Sequence, residues 1–273
     1  SINIVGLTVD QWLAALDERH LADLTRSEVT RALRALSSCY VERRAKLATG
    51  GALDGAGKPA AFALFYGPQH FVITREIVRR ILATEDGDRA NHAVGHAGAP
   101  RFDTVVDLGC GTGSAGAAAA LEAGAMAIEG FDLNPWAVRE ANWTYQVLGL
   151  HGRATVTNVS RLRLKGSPGT LILAAYTINE LPEDLRALVF DRLKDAQRAG
   201  ASILVIEPIG RTVNIWWDSW ADGFVNAGGR EDVWRFNTPL PPRPRALAKA
   251  AGLGVQELTA RSLYLSGPPL HSE

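Results

Sequence analysis

Three glycines and two carboxylates in one short stretch have the types and the spacing that ligand chemistry requires. Gly109, Gly111 and Gly113 alternate directly after a short apolar run that contains Asp107. Glycine lets a backbone turn sharply and approach a ligand that any Cβ atom would block. Asp132 follows Gly111 by 21 residues, at the end of the next apolar run, where a carboxylate can accept hydrogen bonds from both hydroxyls of a ribose. The pattern predicts a nucleotide-binding loop between a strand and a helix.

Two overlapping patterns in this loop point to two ligand classes. The segment from Gly111 to Gly116 reads G-x-G-x-x-G, which is typical of dinucleotide-binding loops. The segment from Asp107 to Gly113 reads D-x-G-x-G-x-G. A carboxylate at position 107 would repel a pyrophosphate, but it would attract a sulfonium or an α-ammonium group. Asp107 therefore favours a sulfonium nucleoside over NAD, and a glycine turn without any ligand is the third alternative.

The residues DLGCGTGSAG, followed by GFDLN, resemble the first two motifs of the class I S-adenosylmethionine-dependent methyltransferases. The resemblance implies an α/β fold with a doubly wound, mostly parallel, seven-stranded Rossmann-like sheet. It also implies S-adenosylmethionine as the methyl donor and S-adenosylhomocysteine as the product. Asp107 would pair with the α-ammonium group, Asp132 would hold the ribose, and Asn158 would contact the adenine. The full set of expected cofactor-binding residues is Asp107, Gly109, Cys110, Gly111, Gly113, Asp132, Leu133, Asn158 and Ala175.

Segments outside the glycine loop are similar to bacterial relatives of the mitochondrial small-ribosomal-subunit methyltransferase-like family. These segments are ALRALSSCYVERR, AAFALFYGPQHF, AAYTINELP and LVIEPIG. The similarity implies RNA or a ribosomal component as the methyl acceptor. The cysteine-rich C-terminal portion of that family, which is associated with a metal or iron–sulfur site, has no counterpart in this sequence. That departure counts against association with the ribosome.

Polar residues after the fourth and fifth apolar runs are candidates for the acceptor side of the site. Carboxyl ends of parallel strands are where such a sheet builds its sites, and the residues expected there are Tyr176, Asn179, Glu180 and Glu207. Glu180 is the leading candidate for a general base. The alternative is that Asn179 and Glu180 cap the helix that begins after Pro182.

Two aromatic segments could cover or line the acceptor pocket. Tyr66 and His70 flank Gly67-Pro68, where we expect one helix to end and another to begin. By analogy, helices that precede the first strand cover the ligand in this superfamily. Trp216 and Trp217 follow the fifth strand and could stack on a planar substrate. For both segments, packing in the core is the alternative.

The elements that position these residues divide the sequence into two parts. We expect an N-terminal helical cap or accessory region over residues 1–100, with a linker over residues 85–101. Residues 102–273 would form the S-adenosylmethionine-binding α/β domain. The closing strands of that domain are expected near residues 254–258 and 262–265.

Three sequence signals predict where helices begin. Thr8 and Thr25 each open a capping box, in which a Gln or Glu follows three residues later. Asn134-Pro135 places a capping side chain before a proline at the first helical position. We therefore expect two helices near the N-terminus and a third directly after Asp132.

Composition limits the partners of this protein. The 273 residues include 29 Lys and Arg and 29 Asp and Glu, so the formal net charge of zero gives no global argument for nucleic-acid binding. No apolar run approaches the roughly 18 residues of a membrane span. Two cysteines favour a reducing, cytoplasmic setting and no metal site. His92 and His96 lie four residues apart, but the glycines around them disfavour the helix that a metal-binding pair would need.

Three functions remain open at this point. One is a methyltransferase that acts on RNA or a ribosomal component, which the basic segment Arg161, Arg163 and Lys165 favours. Another is a small-molecule O- or N-methyltransferase, which the tryptophan cluster and the zero net charge favour. The third is a non-catalytic S-adenosylmethionine-binding protein with an assembly or regulatory role. An NAD-binding Rossmann protein is a remote fourth.

Overall fold

In a computed structural model of the chain, the described residues form a seven-stranded sheet with helices packed on both faces. The structure describes residues 6–42, 55–90, 101–210, 215–254 and 257–268. The strands are β1 (Thr104–Leu108), β2 (Ala127–Asp132), β3 (His151–Val156), β4 (Thr170–Ala175), β5 (Ser202–Glu207), β6 (Arg230–Phe236) and β7 (Leu258–Leu265).

The strand order is β3-β2-β1-β4-β5-β7-β6. The pairs from β3 to β5 are parallel, and only β7 runs antiparallel to its two neighbours, β5 and β6. This arrangement confirms the predicted doubly wound, mostly parallel α/β sheet. The chain winds outwards from β1 to β3 and then returns to the other side of β1 with β4. The order therefore reverses between β1 and β4, and open α/β sheets bind ligands beyond the carboxyl ends of the strands at such a reversal.

Nine α-helices and a π-helical turn lie within the described ranges. The helices before the sheet are α1 (Val9–His20), α2 (Arg26–Glu42), α3 (Gly57–Ala61) and, after the π-helical turn Phe62–Tyr66, α4 (Gly67–Ala90). The helices between the strands are α5 (Ser114–Ala123), α6 (Pro135–Val147), α7 (Glu183–Arg198), α8 (Ile215–Asn226) and α9 (Pro242–Ala250).

The three predicted helix starts are confirmed by their capping bonds. The Thr8 hydroxyl accepts from the backbone N–H of Gln11, and the Gln11 side chain accepts from the backbone N–H of Thr8. Thr25 and Glu28 make the same reciprocal pair before α2. The Asn134 side chain accepts from the first backbone N–H groups of α6. Each cap satisfies donors that a helix start leaves unpaired.

The predicted helix break at Gly67-Pro68 is wrong, because the chain continues through it as helix. Pro68 has no N–H group, and within a regular α-helix its ring would press on the carbonyl of Leu64. The turn before it widens into a π-helix, in which the N–H of Gly67 donates to the carbonyl of Phe62. Such a wide turn adds a residue to the ladder and accommodates the proline without ending the helix.

The predicted linker over residues 85–101 begins too early, since α4 continues to Ala90. His92 and His96 lie outside the described residues. The chain is described again from residue 101, where Arg101 pairs with Glu85 and Asp86 near the end of α4. These ion pairs hold the entry to β1 against the helix that precedes it.

The prediction of the closing strands was wrong in one place. The penultimate strand is β6 (Arg230–Phe236) rather than a segment near residues 254–258. β6 alternates half-buried and exposed residues at the edge of the sheet. Four of its seven residues are charged, so its apolar positions are too few to form the continuous run that identified the inner strands.

Successive residues of the inner strands face two separate cores. In β4, Leu171 and Leu173 pack in one core while Ile172 and Ala174 pack in the other. The first core also contains Trp12 of α1, together with residues of α2, α4, α5, α6 and α9. The second lies beneath α7 and α8. The helices before the sheet therefore share a hydrophobic core with the sheet itself.

Candidate functional site

The glycine loop lies at the reversal of strand order, and its glycines have different environments. All three have a positive φ, at 65° for Gly109, 53° for Gly111 and 81° for Gly113. A Cβ atom on Gly109 would lie 2.3 Å from the Thr177 hydroxyl, and one on Gly113 would lie 2.8 Å from the Tyr145 ring. A Cβ atom on Gly111 would have no neighbour within 4 Å. Gly111 is therefore the glycine whose backbone is open to a ligand.

Asp107 lies beneath this loop with an unsatisfied oxygen. The residue is 1% exposed, and its Oδ2 atom has no hydrogen-bond partner among the described residues. Burial raises the pKa of Asp107 to about 8, and the nearby charge of Asp132 adds to this shift. A backbone hydrogen bond from Gly116 has the opposite, smaller effect. A buried carboxylate in this state gains strongly from a cationic donor.

Asp132, at the end of β2, connects the glycine loop to the following helix. One carboxylate oxygen accepts from the N–H of Gly111 at 2.9 Å, and the other accepts from the N–H of Asn134 at 2.9 Å. A carboxylate oxygen can accept a second hydrogen bond, so Asp132 retains capacity for a ligand hydroxyl. Leu133, the next residue, is 62% exposed and offers an apolar surface beside it.

The remaining residues predicted to contact the cofactor differ in their burial and hydrogen bonding. Asn158 ends the segment after β3, where its Oδ1 caps a 3₁₀ turn by accepting from Ser160 N–H at 2.9 Å. Ala175 is the buried last residue of β4. Cys110 is also buried, and burial raises the pKa of its thiol well above the ordinary value. The thiol is therefore an unreactive packing group. The backbone N–H of Cys110 donates to the carbonyl of Phe131.

Thr177 closes the gap between the ends of β1 and β4, a role that no sequence pattern predicted. Its hydroxyl lies 2.9 Å from the Leu108 carbonyl and also within 3.1 Å of that of Ala175 and 3.3 Å of that of Gly109. The sequence feature that could have indicated this role is a threonine directly after the fourth apolar run. Thr177 joins the glycine loop to the acceptor side of the site.

Tyr176 begins the acceptor side, which we call the lip and define as residues 176–180. Among the described residues it is the one non-glycine with a positive φ, at 58°. Its ring stacks on His70 of α4, with ring centres 3.9 Å apart and planes 13° from parallel. Its hydroxyl is buried and has no partner in the described part of the chain. A strained backbone of this kind is sustained by its surroundings and is concentrated at functional sites.

Glu207 supports the lip from below, and its catalytic role stays a prediction. It is 1% exposed, so protein covers its carboxyl group. Its Oε1 accepts from the backbone N–H of Asn179 at 2.9 Å. Burial raises the pKa of Glu207 to about 8, with Glu180 adding to this and Arg261 opposing it. Glu207 is a positioning residue for the lip.

Glu180 is the carboxylate of the lip that solvent can reach. The residue is exposed, but nearby protein still desolvates its carboxyl group. Desolvation raises the pKa of Glu180 to about 7, and Asp132 adds to the shift; contact with solvent moderates both effects. The alternative role as a helix cap is wrong, because α7 begins at Glu183 without a side-chain cap.

Residues 105–200 match the family described as a methyltransferase domain. This region includes β1, the glycine loop, Asp132, the lip and α7, on a sheet of the strand order described above. This match and the strand order agree with the class I methyltransferase fold that the glycine loop predicts. The relationship to the mitochondrial family stays a prediction.

Solved structures of two methyltransferases resemble the chain in fold. The magnesium protoporphyrin IX methyltransferase from Synechocystis PCC 6803, with bound SAM, is 13% identical, with a TM-score of 0.43, over 72% of this chain and 80% of its own. The plantazolicin methyltransferase BpumL, in complex with SAH, is 10% identical, with a TM-score of 0.48, over 93% of this chain and 100% of its own. No curated protein matches the sequence. Neither structural likeness bears on the acceptor.

The two tryptophans predicted to line a substrate pocket differ in their exposure. Trp217 is 1% exposed, donates from Nε1 to Glu231 at 2.7 Å, and lies beneath Arg261, whose guanidinium is 4.0 Å from the ring centre. It packs in the second core, and its role in a substrate pocket stays a prediction. Trp216 is half-buried and donates from Nε1 to the Asn179 side chain at 3.1 Å. Trp216 therefore stays beside the lip.

The π-helical turn brings Tyr66 and His70 to the glycine loop and the lip. Gly67 packs so closely on the glycine loop that its Cβ would lie 3.0 Å from the Ser114 hydroxyl and 3.3 Å from that of Thr112. One turn later His70 stacks on the lip, with Tyr66 at 6.3 Å from its ring. Desolvation lowers the pKa of His70 to about 3, so the imidazole is neutral.

The described part of the chain contains no group of three or more His, Cys, Asp or Glu side chains arranged to hold a metal ion. Within the same residues, no helix combines the length and the apolar character that crossing a bilayer requires.

Proposed function

We propose that this protein transfers the methyl group of S-adenosylmethionine to an acceptor held at the lip. The observation that carries the proposal is the buried, unpartnered Oδ2 of Asp107, in the strand that leads into a glycine loop whose Gly111 backbone is open. A carboxylate in this position is matched by an α-ammonium group and is repelled by a phosphate.

The residues of the glycine loop fit the three parts of this cofactor. Asp107 would hold the α-ammonium group, and Gly111 would allow the ligand to lie against the backbone. Asp132 has the remaining acceptor capacity that a ribose diol needs, and the exposed Leu133 would contact the adenine. A dinucleotide would place its pyrophosphate beside Asp107 and leave that carboxyl group without a cationic partner, which weighs against the NAD alternative. When bound, S-adenosylmethionine supplies an electrophilic methyl group on a sulfonium centre.

The residues of the lip would position the acceptor and accept its proton. Methyl transfer is an in-line displacement, so the main task of the protein is to hold the acceptor atom in position. Tyr176 and His70 form a fixed aromatic wall, and Thr177 and Glu207 hold the backbone of the lip in place. Glu180 is the one lip carboxylate that an acceptor can reach, and we assign it the role of proton acceptor.

Calorimetric titration with S-adenosylmethionine tests the cofactor assignment. Asp132→Asn should weaken binding by about 1–3 kcal/mol, because it removes the charge from hydrogen bonds to the ribose. The matched control is Glu129→Gln, an exposed carboxylate on the same strand, which should bind normally. Equal affinity for the cofactor in both variants, or preferential binding of NAD by the unaltered protein, would refute the assignment.

One observation favours RNA as a second acceptor class. The exposed side chains of Arg161, Arg163 and Lys165 follow β3, separated by half-buried leucines. Basic side chains that contact phosphates make affinity fall steeply with salt. If RNA is the acceptor, replacing all three by Gln should reduce the salt dependence of RNA binding. Tight cofactor binding without turnover on any acceptor would instead favour the non-catalytic role.

A further inference from the structure

We propose that the acceptor atom is the nitrogen of an amine, held between a cluster of aromatic side chains and the carboxylate of Glu180. This inference rests on the proposed function and adds the substrate class that it leaves open. It depends on three features of the described residues, which are a cluster of half-buried rings, the charges around them, and the direction in which charge moves during the reaction.

Four adjoining rings line one side of the acceptor site. His70 lies at their centre, with its ring 3.9 Å from Tyr176, 6.1 Å from Phe62 and 6.3 Å from Tyr66. Phe62 and Tyr66 contact each other at 5.8 Å. All four residues are half-buried, so each retains surface that a substrate can touch. The faces of Tyr and Phe rings carry partial negative charge and attract cations, ammonium groups included.

Three carboxyl groups act on one another beside these rings. Asp132 acts electrostatically on Glu180, and Glu180 acts in turn on the buried Glu207, so the three share one charge environment. His70 adds no positive charge, because desolvation keeps its imidazole neutral. This environment attracts an ammonium group and repels a phosphate or a carboxylate substrate.

Two guanidinium groups lie near the lip, and both are directed to indole rings. Arg261 is 4.0 Å from the ring centre of Trp217, and Arg186 is 5.8 Å from that of Trp216. Arg261 partly offsets the charge of Glu207. Neither is among the groups that act on Glu180. The carboxylate that an acceptor can reach therefore lacks a basic partner in the described chain.

The reaction of an amine matches this charge distribution. Glu180 takes one proton from the substrate ammonium, which frees the nitrogen lone pair. The lone pair then forms the N–C bond while the C–S bond breaks and its electron pair remains on sulfur. Positive charge moves from sulfur to the methylated nitrogen, and the proton on Glu180 passes to solvent. Carboxylates and ring faces stabilise this growing positive charge, whereas an alkoxide would develop negative charge beside them.

The test compares matched acceptors with the full-length protein and S-adenosylmethionine. The probes are pairs that differ only in the reacting group, such as phenethylamine with phenethyl alcohol and tyramine with tyrosol, together with bacterial total RNA. Formation of S-adenosylhomocysteine is measured for each probe. We expect turnover of the amines at least about tenfold above that of the matched alcohols, which corresponds to 1.4 kcal/mol in the barrier.

Variants of the lip separate chemistry from folding. Glu180→Gln should lower kcat/KM for the amine about 100-fold, as is typical when a general base is removed, and should leave cofactor affinity within about twofold. Glu183→Gln, an exposed acid three residues later, is the matched control and should retain activity. His70→Phe keeps the ring and should retain more amine affinity than His70→Ala.

The outcomes distinguish this inference from the proposed function. Absence of S-adenosylmethionine binding would overturn the proposed function itself. Cofactor binding with methylation of the alcohols or of RNA in preference to the amines would overturn the amine assignment and leave the proposed function intact. Full amine turnover by Glu180→Gln would overturn the role of Glu180.

Discussion

A single carboxylate oxygen, Oδ2 of Asp107, connects the protonation of the protein to ligand binding. Burial and the neighbouring Asp132 raise the pKa of Asp107 to about 8, above its ordinary value. The folded protein without ligand therefore keeps this group mostly protonated at pH 6.5. An α-ammonium group placed beside it would lower the pKa again, because an opposite charge favours the ionised form. The same reasoning implies that Asp107 costs stability as pH rises towards 8.

We predict that S-adenosylmethionine binding releases a proton at pH 6.5. The measurement is calorimetric titration in two buffers of different ionisation enthalpy, whose difference in apparent binding enthalpy gives the protons released. Asp107→Asn has the same shape without the ionisable group, so its binding enthalpy should not depend on the buffer. A buffer-independent enthalpy for the unaltered protein would show that Asp107 does not meet a cation.

The cofactor side of the site could be predicted at the scale of residues, and the acceptor side only in part. Asp107, Gly111 and Asp132 lie close together in sequence, and their chemistry can be interpreted without knowledge of distant contacts. The contact of His70 with Tyr176 joins residues from two separate segments. No local pattern shows that pairing, and none shows that Glu207 is fully buried beneath the lip.

At the scale of elements, one hydroxyl holds β1 and β4 together at the reversal of strand order. Thr177 is 8% exposed, and its Oγ1 reaches the carbonyls of Leu108, Gly109 and Ala175. Thr74 of α4 is also buried, with no exposed surface, but its hydroxyl has no partner among the described residues. The two threonines differ in whether their hydroxyls have hydrogen-bond partners, so substitutions at the two positions can be compared directly.

We predict that Thr177→Val destabilises the protein and Thr74→Val does not. The first substitution leaves buried carbonyls with one fewer donor and should cost about 1–3 kcal/mol. The second removes an unsatisfied hydroxyl and should be neutral or stabilising. Urea unfolding of both variants measures the difference, and cofactor affinity should fall only in Thr177→Val. Equal stability of the two variants would contradict this account of the loop.

Elements with complete local signals were predicted well, and those shaped by packing were not. Reciprocal side-chain caps at Thr8 and Thr25 fixed the starts of α1 and α2. By contrast, Pro68 predicts a helix break, and only the structure shows that the π-helical turn Phe62–Tyr66 accommodates it while Gly67 packs on the glycine loop. β6 was missed because an edge strand needs one apolar face only, and charged residues fill the other.

At the scale of the whole molecule, the helices before the sheet complete one of its two hydrophobic cores. The four alanines from 117 to 120 in α5 have no exposed surface. A helix with this much buried surface needs a covering layer, which α4 provides. Arg34 of α2 also donates to the carbonyls of Ala250 and Ala251 at the end of α9. The division into residues 1–100 and 102–273 stays a proposal about sequence organisation.

We predict that the chain unfolds in one cooperative transition. Parts that share a core should lose their structure together, since neither buries its apolar surface alone. Scanning calorimetry should give one peak whose calorimetric and van't Hoff enthalpies agree. Two separated transitions, one of which abolishes cofactor binding without unfolding the N-terminal helices, would show that the two parts are independent domains.

A crystal structure with S-adenosylhomocysteine bound tests the central claim most directly. The account predicts that the α-amino group lies within hydrogen-bonding distance of Asp107, directly or through one water, and that the ribose hydroxyls contact Asp132. It also predicts that the sulfur atom lies on the side of the lip, with space next to it bordered by Tyr176, His70 and Glu180. Density for the ligand elsewhere on the sheet, or a glycine loop closed by the protein's own side chains, would contradict it.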